Sequence, residues 1–211
     1  MTDSGPPRTV DTPLGPARVH RDGPDGAAVG TLLLGHGAGG GVDAPDLVAV
    51  ATAAAGAGWQ VLRVEQPWRV AGRRIAPAPP RLDEGWRAVV AGLRAAGDLT
   101  GPLVQGGRSA GARVACRTAA EHGAAGVLTL AFPLHPPKRP EKSRAGELAL
   151  VEVPMLLVQG QRDAFGGPAE VRAALAGRPG AVVAAVPGDH ALSRDTAAVA
   201  AAVVPWLTAL T

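Results

Sequence analysis

The sequence predicts an α/β fold, built on a mostly parallel sheet of about six to eight strands with helices on both faces. Short apolar runs alternate with helical segments along the chain, the order that crossover helices between parallel strands produce. The runs are continuously apolar rather than alternating, which is typical of strands covered on both faces. The predicted strands are 29–34, 59–64, 102–106, 126–132, 154–159 and 181–186, with an antiparallel hairpin within 9–20 at one edge.

Helix signals fill the segments between these strands. Asp43 is a predicted helix cap, because Pro45 suits a first turn and Asp46 favours the positive end of the helix dipole. Asp83 is the predicted cap of a later helix. The predicted helices span 43–58, 83–96, 109–122, 168–177 and 193–209.

Length and composition bound the class of protein. The chain has 211 residues, of which 46% are hydrophobic, enough for one sizeable core but few for two ordinary domains. We therefore expect a single domain over 1–211, with 1–8 as a flexible tail. Cys116 is the only cysteine, so the chain cannot form an internal disulfide or a cysteine metal cluster, which suits a reducing cytoplasm.

Charge and hydropathy argue against two kinds of partner. The net charge is +3 and the basic residues are spread over several segments, so the sequence does not indicate a nucleic-acid surface. Residues 1–12 lack the basic and apolar blocks of a signal peptide. The uncharged stretch 196–211 is short for a membrane span and contains Pro205, so we expect a packed helix there. The expected location is the cytoplasm, without membrane binding, and the oligomeric state is left open.

The strongest motif is Gly107-Arg108-Ser109-Ala110-Gly111, which follows an apolar run and precedes a helix-forming run. A serine at such a strand–turn–helix junction is presented away from the sheet, where a histidine and a substrate carbonyl can reach it. The motif indicates nucleophilic attack on an acyl group. By itself it also fits a glycine-rich turn with no catalytic role, so residues at the other strand ends must decide.

An acid and a histidine follow two later strands. Asp163 comes shortly after strand 154–159, and His190 comes shortly after strand 181–186. The carboxyl ends of parallel strands meet at one edge of the sheet, where ligands bind. Ser109, Asp163 and His190 are therefore the predicted nucleophile, acid and base. Asp189 is an alternative acid, although its position beside His190 makes the required geometry awkward.

The loop after strand 29–34 is rich in glycine, with the sequence His36-Gly37-Ala38-Gly39-Gly40-Gly41. Stabilising an oxyanion requires preorganised amide donors, and we expect the backbone N–H groups of Ala38 and Ala110 to provide them. His36 is expected to be structural, since the backbone N–H groups of this loop, rather than its side chains, would stabilise the oxyanion. A phosphate cradle is the alternative, but no Gly-Lys-Ser/Thr follows and the spacing is not Gly-x-Gly-x-x-Gly. We expect no cofactor and no metal.

Together these motifs resemble small α/β-hydrolases of the dienelactone-hydrolase-like type, a family that includes a testis-expressed protein and a chromatin-complex subunit. The resemblance covers roughly residues 29–209 and rests on the segments 36–40, 107–113, 132–137, 160–163 and 188–190. It implies the α/β-hydrolase fold and a Ser-His-Asp triad. The chain carries Ser109 where dienelactone hydrolases carry a cysteine, so a dienelactone is not the expected substrate. Cys116 lies within the following helix and is expected to pack there.

The resulting hypothesis is a serine hydrolase, an esterase that forms a covalent acyl-enzyme on Ser109 and acts on a small-molecule ester or other acyl substrate. One alternative is a catalytically silent interaction protein on the same fold, because some relatives serve as interaction subunits. Another is a transferase or haloperoxidase-like use of the same triad. Hydrolysis and transfer differ in the access of water to the acyl-enzyme.

The Pro-rich segments 66–81 and 133–147 are predicted loops that form the pocket rim and are too short for a large cap domain. Arg69, Arg108 and Phe132 are the predicted substrate-binding residues, with Trp68 as a second apolar wall. A basic rim would favour an acidic substrate such as a carboxylate ester, and the alternative is a set of ordinary solvated charges. The basic residues in question are Arg69, Arg73, Arg74, Arg108, Lys138 and Arg139.

Overall fold

The computed structural model describes residues 5–24 and 26–211. The strands are β1 (Arg8–Val10), β2 (Ala17–Asp22), β3 (Thr31–Gly35), β4 (Gln60–Glu65), β5 (Leu103–Arg108), β6 (Gly126–Leu130), β7 (Met155–Gly160) and β8 (Ala181–Val186). The helices are α1 (Pro45–Gly56), α2 (Pro67–Val70), α3 (Pro79–Ala95), α4 (Ala110–Thr118), α5 (Ala145–Ala149), α6 (Pro168–Ala174) and α7 (Thr196–Thr208).

All these strands belong to one sheet, in the order β1-β2-β4-β3-β5-β6-β7-β8. The pairs from β4–β3 to β7–β8 are parallel, whereas β1–β2 and β2–β4 are antiparallel. The predicted α/β-hydrolase fold with its edge hairpin is therefore confirmed. The carboxyl ends of β3 to β8 lie along one edge of the sheet, and the chain leaves β5, β7 and β8 there just before Ser109, Asp163 and His190.

Helices cover both faces of the sheet. Leu32 and Leu34 of β3 belong to a buried cluster with α1 and α7. Leu33, which points the opposite way, belongs to a second cluster with Trp86 of α3. Because both faces are buried, the central strands gain from being apolar at every position, and this produced the continuous apolar runs.

Two helices begin at prolines rather than at the predicted aspartates. Asp43 makes no capping hydrogen bond, because α1 begins at Pro45 with Ala44 at the cap position. Asp83 lies inside α3, which begins at Pro79, and both its carboxylate oxygens accept hydrogen bonds from Arg117 of α4, at 2.6 and 2.8 Å. Proline suits the first helical turn because its missing N–H is not needed there.

The two predicted rim loops carry short helices of their own. Segment 66–81 contains α2 and the start of α3, and 133–147 contains the 3₁₀ turn Pro140–Lys142 and the start of α5. Residues 5–24 and 26–211 form no cap domain, as predicted.

The ends of the chain differ from the prediction in one respect. Residues 1–4 of the predicted flexible tail lie outside the described residues, and Arg8 already pairs with Val19 in the β1–β2 hairpin.

Within the described part of the chain, no helix combines the length and the apolar character needed to cross a membrane.

Candidate active site

Ser109 lies at the tight turn between β5 and α4. Its backbone has φ 51° and ψ −105°, a conformation that residues with a side chain seldom adopt. The flanking glycines are required by the close approach of β3, since a Cβ on Gly107 or Gly111 would lie 2.4 or 2.3 Å from the carbonyl oxygen of Gly35. The motif therefore has a packing reason for both glycines, and it holds the serine at the junction in a strained conformation.

The three predicted triad side chains lie within hydrogen-bonding distance of one another. His190 Nε2 lies 2.9 Å from Ser109 Oγ, while its Nδ1 lies 2.9 Å from Asp163 Oδ2 and 3.1 Å from Oδ1. The Asp163 side chain is fully buried, and 21% of the His190 side chain is exposed. With Nδ1 donating to the carboxylate, Nε2 can accept the serine proton.

The Asp163 carboxylate is held by two groups that the sequence analysis missed. Gln159 Nε2 donates to Oδ2 at 2.8 Å, and the backbone N–H of Phe165 donates to Oδ1 at 2.8 Å. Gln159 Nε2 also lies 2.7 Å from Gly166 O and 3.2 Å from Phe132 O, so the two hydrogens of this side-chain amide are shared among three acceptors. Gln159 thus fixes the acid to the end of β7 without adding a charge. A buried glutamine in an otherwise apolar strand was the signal that could have found it.

Two further neighbours of His190 have different roles. The Phe165 ring packs against the imidazole, with ring centroids 4.2 Å apart and planes 30° apart, and restricts its rotation. Asp189, the alternative acid, is exposed, and its Oδ1 accepts a hydrogen bond from the Ala191 N–H at 2.9 Å. Asp189 therefore shapes the turn rather than facing the imidazole.

The predicted oxyanion donors lie just after β3 and β5. Ala38 is exposed in its loop, and Ala110 is the first residue of α4, where an amide has no acceptor within its own helix. His36 holds the Ala38 loop, because its Nδ1 lies 2.8 Å from Gly37 O and its Nε2 accepts from the Gln66 N–H at 3.2 Å. Burial lowers the pKa of His36, so the ring is neutral with its proton on Nδ1.

The three predicted substrate-binding residues lie in different surroundings. Arg108 is paired with buried Asp46, and its Nη2 donates to the carbonyl oxygen of His190 at 3.0 Å. Phe132 is 0% exposed and packs in the core, so the prediction that its ring lines the site is wrong. Arg69 is half-buried on α2, which follows the end of β4.

The rim is less basic than its composition suggested. Arg73, Arg74, Lys138 and Arg139 are exposed, but Arg139 Nε lies 3.3 Å from Glu141 Oε1. A cavity of about 430 Å³ lies beside Arg108 and Ala191, the neighbours in sequence of Ser109 and His190. Small residues form much of its wall, among them Gly40, Gly41 and Ala44.

Cys116 and two further histidines, His122 and His135, lie away from the three triad side chains. Cys116 is buried on α4, and burial raises the pKa of its thiol to about 12, so it is not a nucleophile at neutral pH. His122 Nδ1 lies 3.1 Å from Gln105 Oε1. His135 Nε2 lies 2.9 Å from Glu170 Oε2.

Comparison with solved structures gives the same architecture. An α/β serine hydrolase homologue from Coxiella burnetii has a TM-score of 0.78 at 19% identity, with 98% of each chain covered. A lidless α/β serine hydrolase from Xanthomonas campestris has a TM-score of 0.72 at 22% identity, covering 98% of this chain and 96% of that one. A dienelactone hydrolase from Anabaena variabilis has a TM-score of 0.76 at 20% identity, covering 97% and 99%. At these identities the similarity shows the fold.

Sequence comparison with protein families identifies the chain more directly. The expected relation to a testis-expressed protein and a chromatin-complex subunit stays a prediction. The alpha/beta hydrolase domain family matches residues 28–201, which is most of the chain. The protein therefore belongs to the alpha/beta hydrolase family.

Proposed function

We propose that this protein is a serine hydrolase of the esterase type, which attacks a small acyl substrate with Ser109. The observation that carries the proposal is the continuous contact from Asp163 through His190 to Ser109 Oγ, with 2.9 Å at each step. Membership of the alpha/beta hydrolase family supports the reaction class, as do neighbours described as serine hydrolases.

The first half-reaction forms the acyl-enzyme. Ser109 Oγ attacks the carbonyl carbon of the ester while its proton passes to His190 Nε2, and the Asp163 carboxylate stabilises the imidazolium. The carbonyl oxygen becomes an oxyanion that accepts hydrogen bonds from the N–H groups of Ala38 and Ala110. One such donor stabilises the transition state by about 3 kcal/mol. The carbon–oxygen bond to the leaving group then breaks, and His190 gives its proton to the departing alkoxide.

The second half-reaction releases the acid. Water attacks the acyl carbon, His190 Nε2 accepts a proton from the water, and the proton returns to Ser109 Oγ as the carboxylic acid leaves. The described residues form no cap domain, and we propose water rather than another alcohol as the acyl acceptor.

Fluorophosphonate labelling followed by intact-mass measurement tests the proposal. The wild type is expected to gain one adduct, and Ser109→Ala is expected to gain none, because the reagent reports an activated serine. Circular dichroism of both proteins is the folding control. A folded wild type without an adduct would overturn the proposal and favour the interaction protein, for which partner pulldown is the next experiment.

We propose that two arginines of the rim, the half-buried Arg69 and the exposed Arg73, select the substrate by charge. Replacing both Arg69 and Arg73 by Ala is expected to lower kcat/KM for anionic esters by about two- to tenfold relative to neutral esters, because exposed charge pairs contribute about 0.2–1 kcal/mol each. Paired esters that differ in one carboxylate give the comparison, and high salt should reduce the wild-type preference. An unchanged ratio contradicts this proposal and leaves the charges as ordinary solvated groups.

A further inference from the structure

A buried ion pair lies beside the triad. The Asp46 side chain is 0% exposed and the Arg108 side chain is 14% exposed, with Arg108 Nε 3.0 Å from Asp46 Oδ2. No described donor, Arg108 Nε included, is aligned for a hydrogen bond to Asp46, so this carboxylate is compensated by the Arg108 charge and by the nearby backbone N–H groups of Asp46 and Leu47. Burial raises the pKa of the Asp46 carboxyl, and the Arg108 charge opposes that shift. Stability is a weak reason for such a pair, since desolvation offsets much of the attraction.

The position of Arg108 offers a different reason. It is the last residue of β5 and directly precedes Ser109. Its Nη2 donates to the His190 carbonyl oxygen at 3.0 Å. A Cβ on Gly37 would lie 3.1 Å from Arg108 Nη1, so the guanidinium also lies against the loop that carries Ala38. One planar group therefore contacts the backbone of the proposed base and the loop of a proposed oxyanion donor.

Asp46 determines where this guanidinium lies. It is in the first turn of α1, and its fully buried carboxylate lies 3.0 Å from Arg108 Nε. The guanidinium fork presents one nitrogen to Asp46 and another to His190, which a lysine ammonium cannot do in the same geometry.

We propose that Arg108 is a positioning residue: with Asp46 it holds the His190 backbone and the 37–41 loop in place around Ser109. The inference rests on the proposed serine hydrolase function, and it replaces the expectation that Arg108 binds the substrate. The guanidinium is largely buried and already occupied by a carboxylate and a carbonyl, which leaves little of it for an ester.

A double variant separates positioning from folding. Asp46→Leu with Arg108→Met removes the whole pair, because replacing a buried pair by apolar side chains is often tolerated whereas removing one partner is not. Asp83→Leu with Arg117→Met is the matched control, an ion pair of similar exposure (14% and 9%) between α3 and α4 that does not contact His190. Arg117 also pairs with Glu147, which keeps Arg113 as its partner in this control. Thermal unfolding verifies that both double variants fold.

The expected result is a fluorophosphonate labelling rate about ten- to a hundredfold lower in the Asp46/Arg108 variant, because small misplacements of catalytic groups have effects of this size. The control variant is expected to keep the wild-type rate. With a neutral ester, kcat should fall while KM stays unchanged. The single variant Arg108→Lys, which keeps the positive charge, should be about as stable as the wild type but should still show the lower labelling rate. An unchanged labelling rate would overturn the inference, and so would a rise in KM confined to anionic esters.

Nitrogen-15 NMR of the histidine rings gives a readout that needs no turnover. The His190 signals, assigned by their loss in His190→Ala, are expected to broaden or shift in the Asp46/Arg108 variant and to stay unchanged in the control. The two proposals can therefore fail separately. A wild type without an adduct would overturn the hydrolase function, whereas unchanged His190 signals would overturn the positioning role.

Discussion

His190 and His36 both follow strands at the same edge of the sheet, yet their partners give them opposite properties. His190 has a carboxylate at Nδ1 and a hydroxyl at Nε2. His36 has a carbonyl oxygen at Nδ1 and a backbone N–H at Nε2, which fixes one neutral tautomer. A carboxylate lies behind the His190 ring, whereas protonation of His36 Nε2 would break its hydrogen bond to the Gln66 N–H. At this edge the partner atoms, rather than the residue type, decide the chemistry.

A third histidine at this edge completes the comparison. His135 Nδ1 lies 2.9 Å from Pro136 O, and its Nε2 lies 2.9 Å from Glu170 Oε2. Both partners are acceptors, so the imidazolium satisfies both at once. The hydrogen bonds to Pro136 and Glu170 raise the pKa of His135. The three rings are therefore suited to three tasks: the proposed base, a neutral structural link and a ring whose charged form is favoured by its partners.

The largest expected effect is that of His190→Ala, which tests the first of these tasks. The substitution should lower kcat for a neutral ester by about 10⁶-fold, as loss of a triad base does. It should also lower the free energy of unfolding by about 1–3 kcal/mol, because the buried Asp163 carboxylate loses one of its hydrogen-bond partners. Steady-state kinetics and urea denaturation provide the two numbers. A kcat loss comparable to that of His36→Ala would erase the distinction between the two rings.

An intermediate effect is expected from His36, mainly on stability. His36→Ala removes a donor and an acceptor from buried backbone groups and should lower the free energy of unfolding by about 2–4 kcal/mol. His36→Gln, which keeps one donor and one acceptor, is the matched control and should lose less.

The pH dependence gives a sharper test of His36. Burial lowers its pKa in the folded state, so its contribution to stability is present above the unfolded value of about 6.5 and is lost as the pH falls through the folded pKa. The decline of wild-type stability toward acid pH should be smaller in His36→Gln. Urea denaturation across this range measures it, and identical pH profiles would show that the ring is not held neutral.

The smallest effect is expected from His135 and has the opposite sign. Its raised folded pKa means that its contribution is fully present below about pH 6.5 and is lost as the pH rises through the folded value. The partner carboxylate, Glu170, accepts hydrogen bonds from the Gly167 N–H and from His135. These hydrogen bonds lower the pKa of Glu170, so it stays charged in mild acid. Since the Glu170 side chain is 54% exposed, the effect is small.

His135→Gln should therefore lose more stability relative to the wild type at about pH 5.5 than at about pH 8.5. Chemical denaturation at the two pH values gives the comparison. An equal loss at both would mean that His135 is not a cation in the folded protein.

The sequence predicted those parts of the fold and site that local patterns encode. The apolar run before Ser109 and the glycines around it predicted the β5–turn–α4 junction. Those glycines are needed there because Gly35 of β3 lies too close for a side chain at either position. The sequence misplaced the starts of α1 and α3, since prolines at the first turn outweighed Asp43 and Asp83 as signals. It placed Phe132 at the site, whereas the ring is in the core.

By itself, then, the sequence determined the order of strands and helices and the strand ends from which Ser109, Asp163 and His190 emerge. The tertiary structure alone decided what these side chains touch: Gln159 and Phe165 around the acid, and Asp46 opposite Arg108. The physical reason is range. Apolar periodicity and turn chemistry act between neighbours in the chain, whereas the contacts of Arg108 join β5, α1 and the turn after β8, whose meeting depends on sheet order and register.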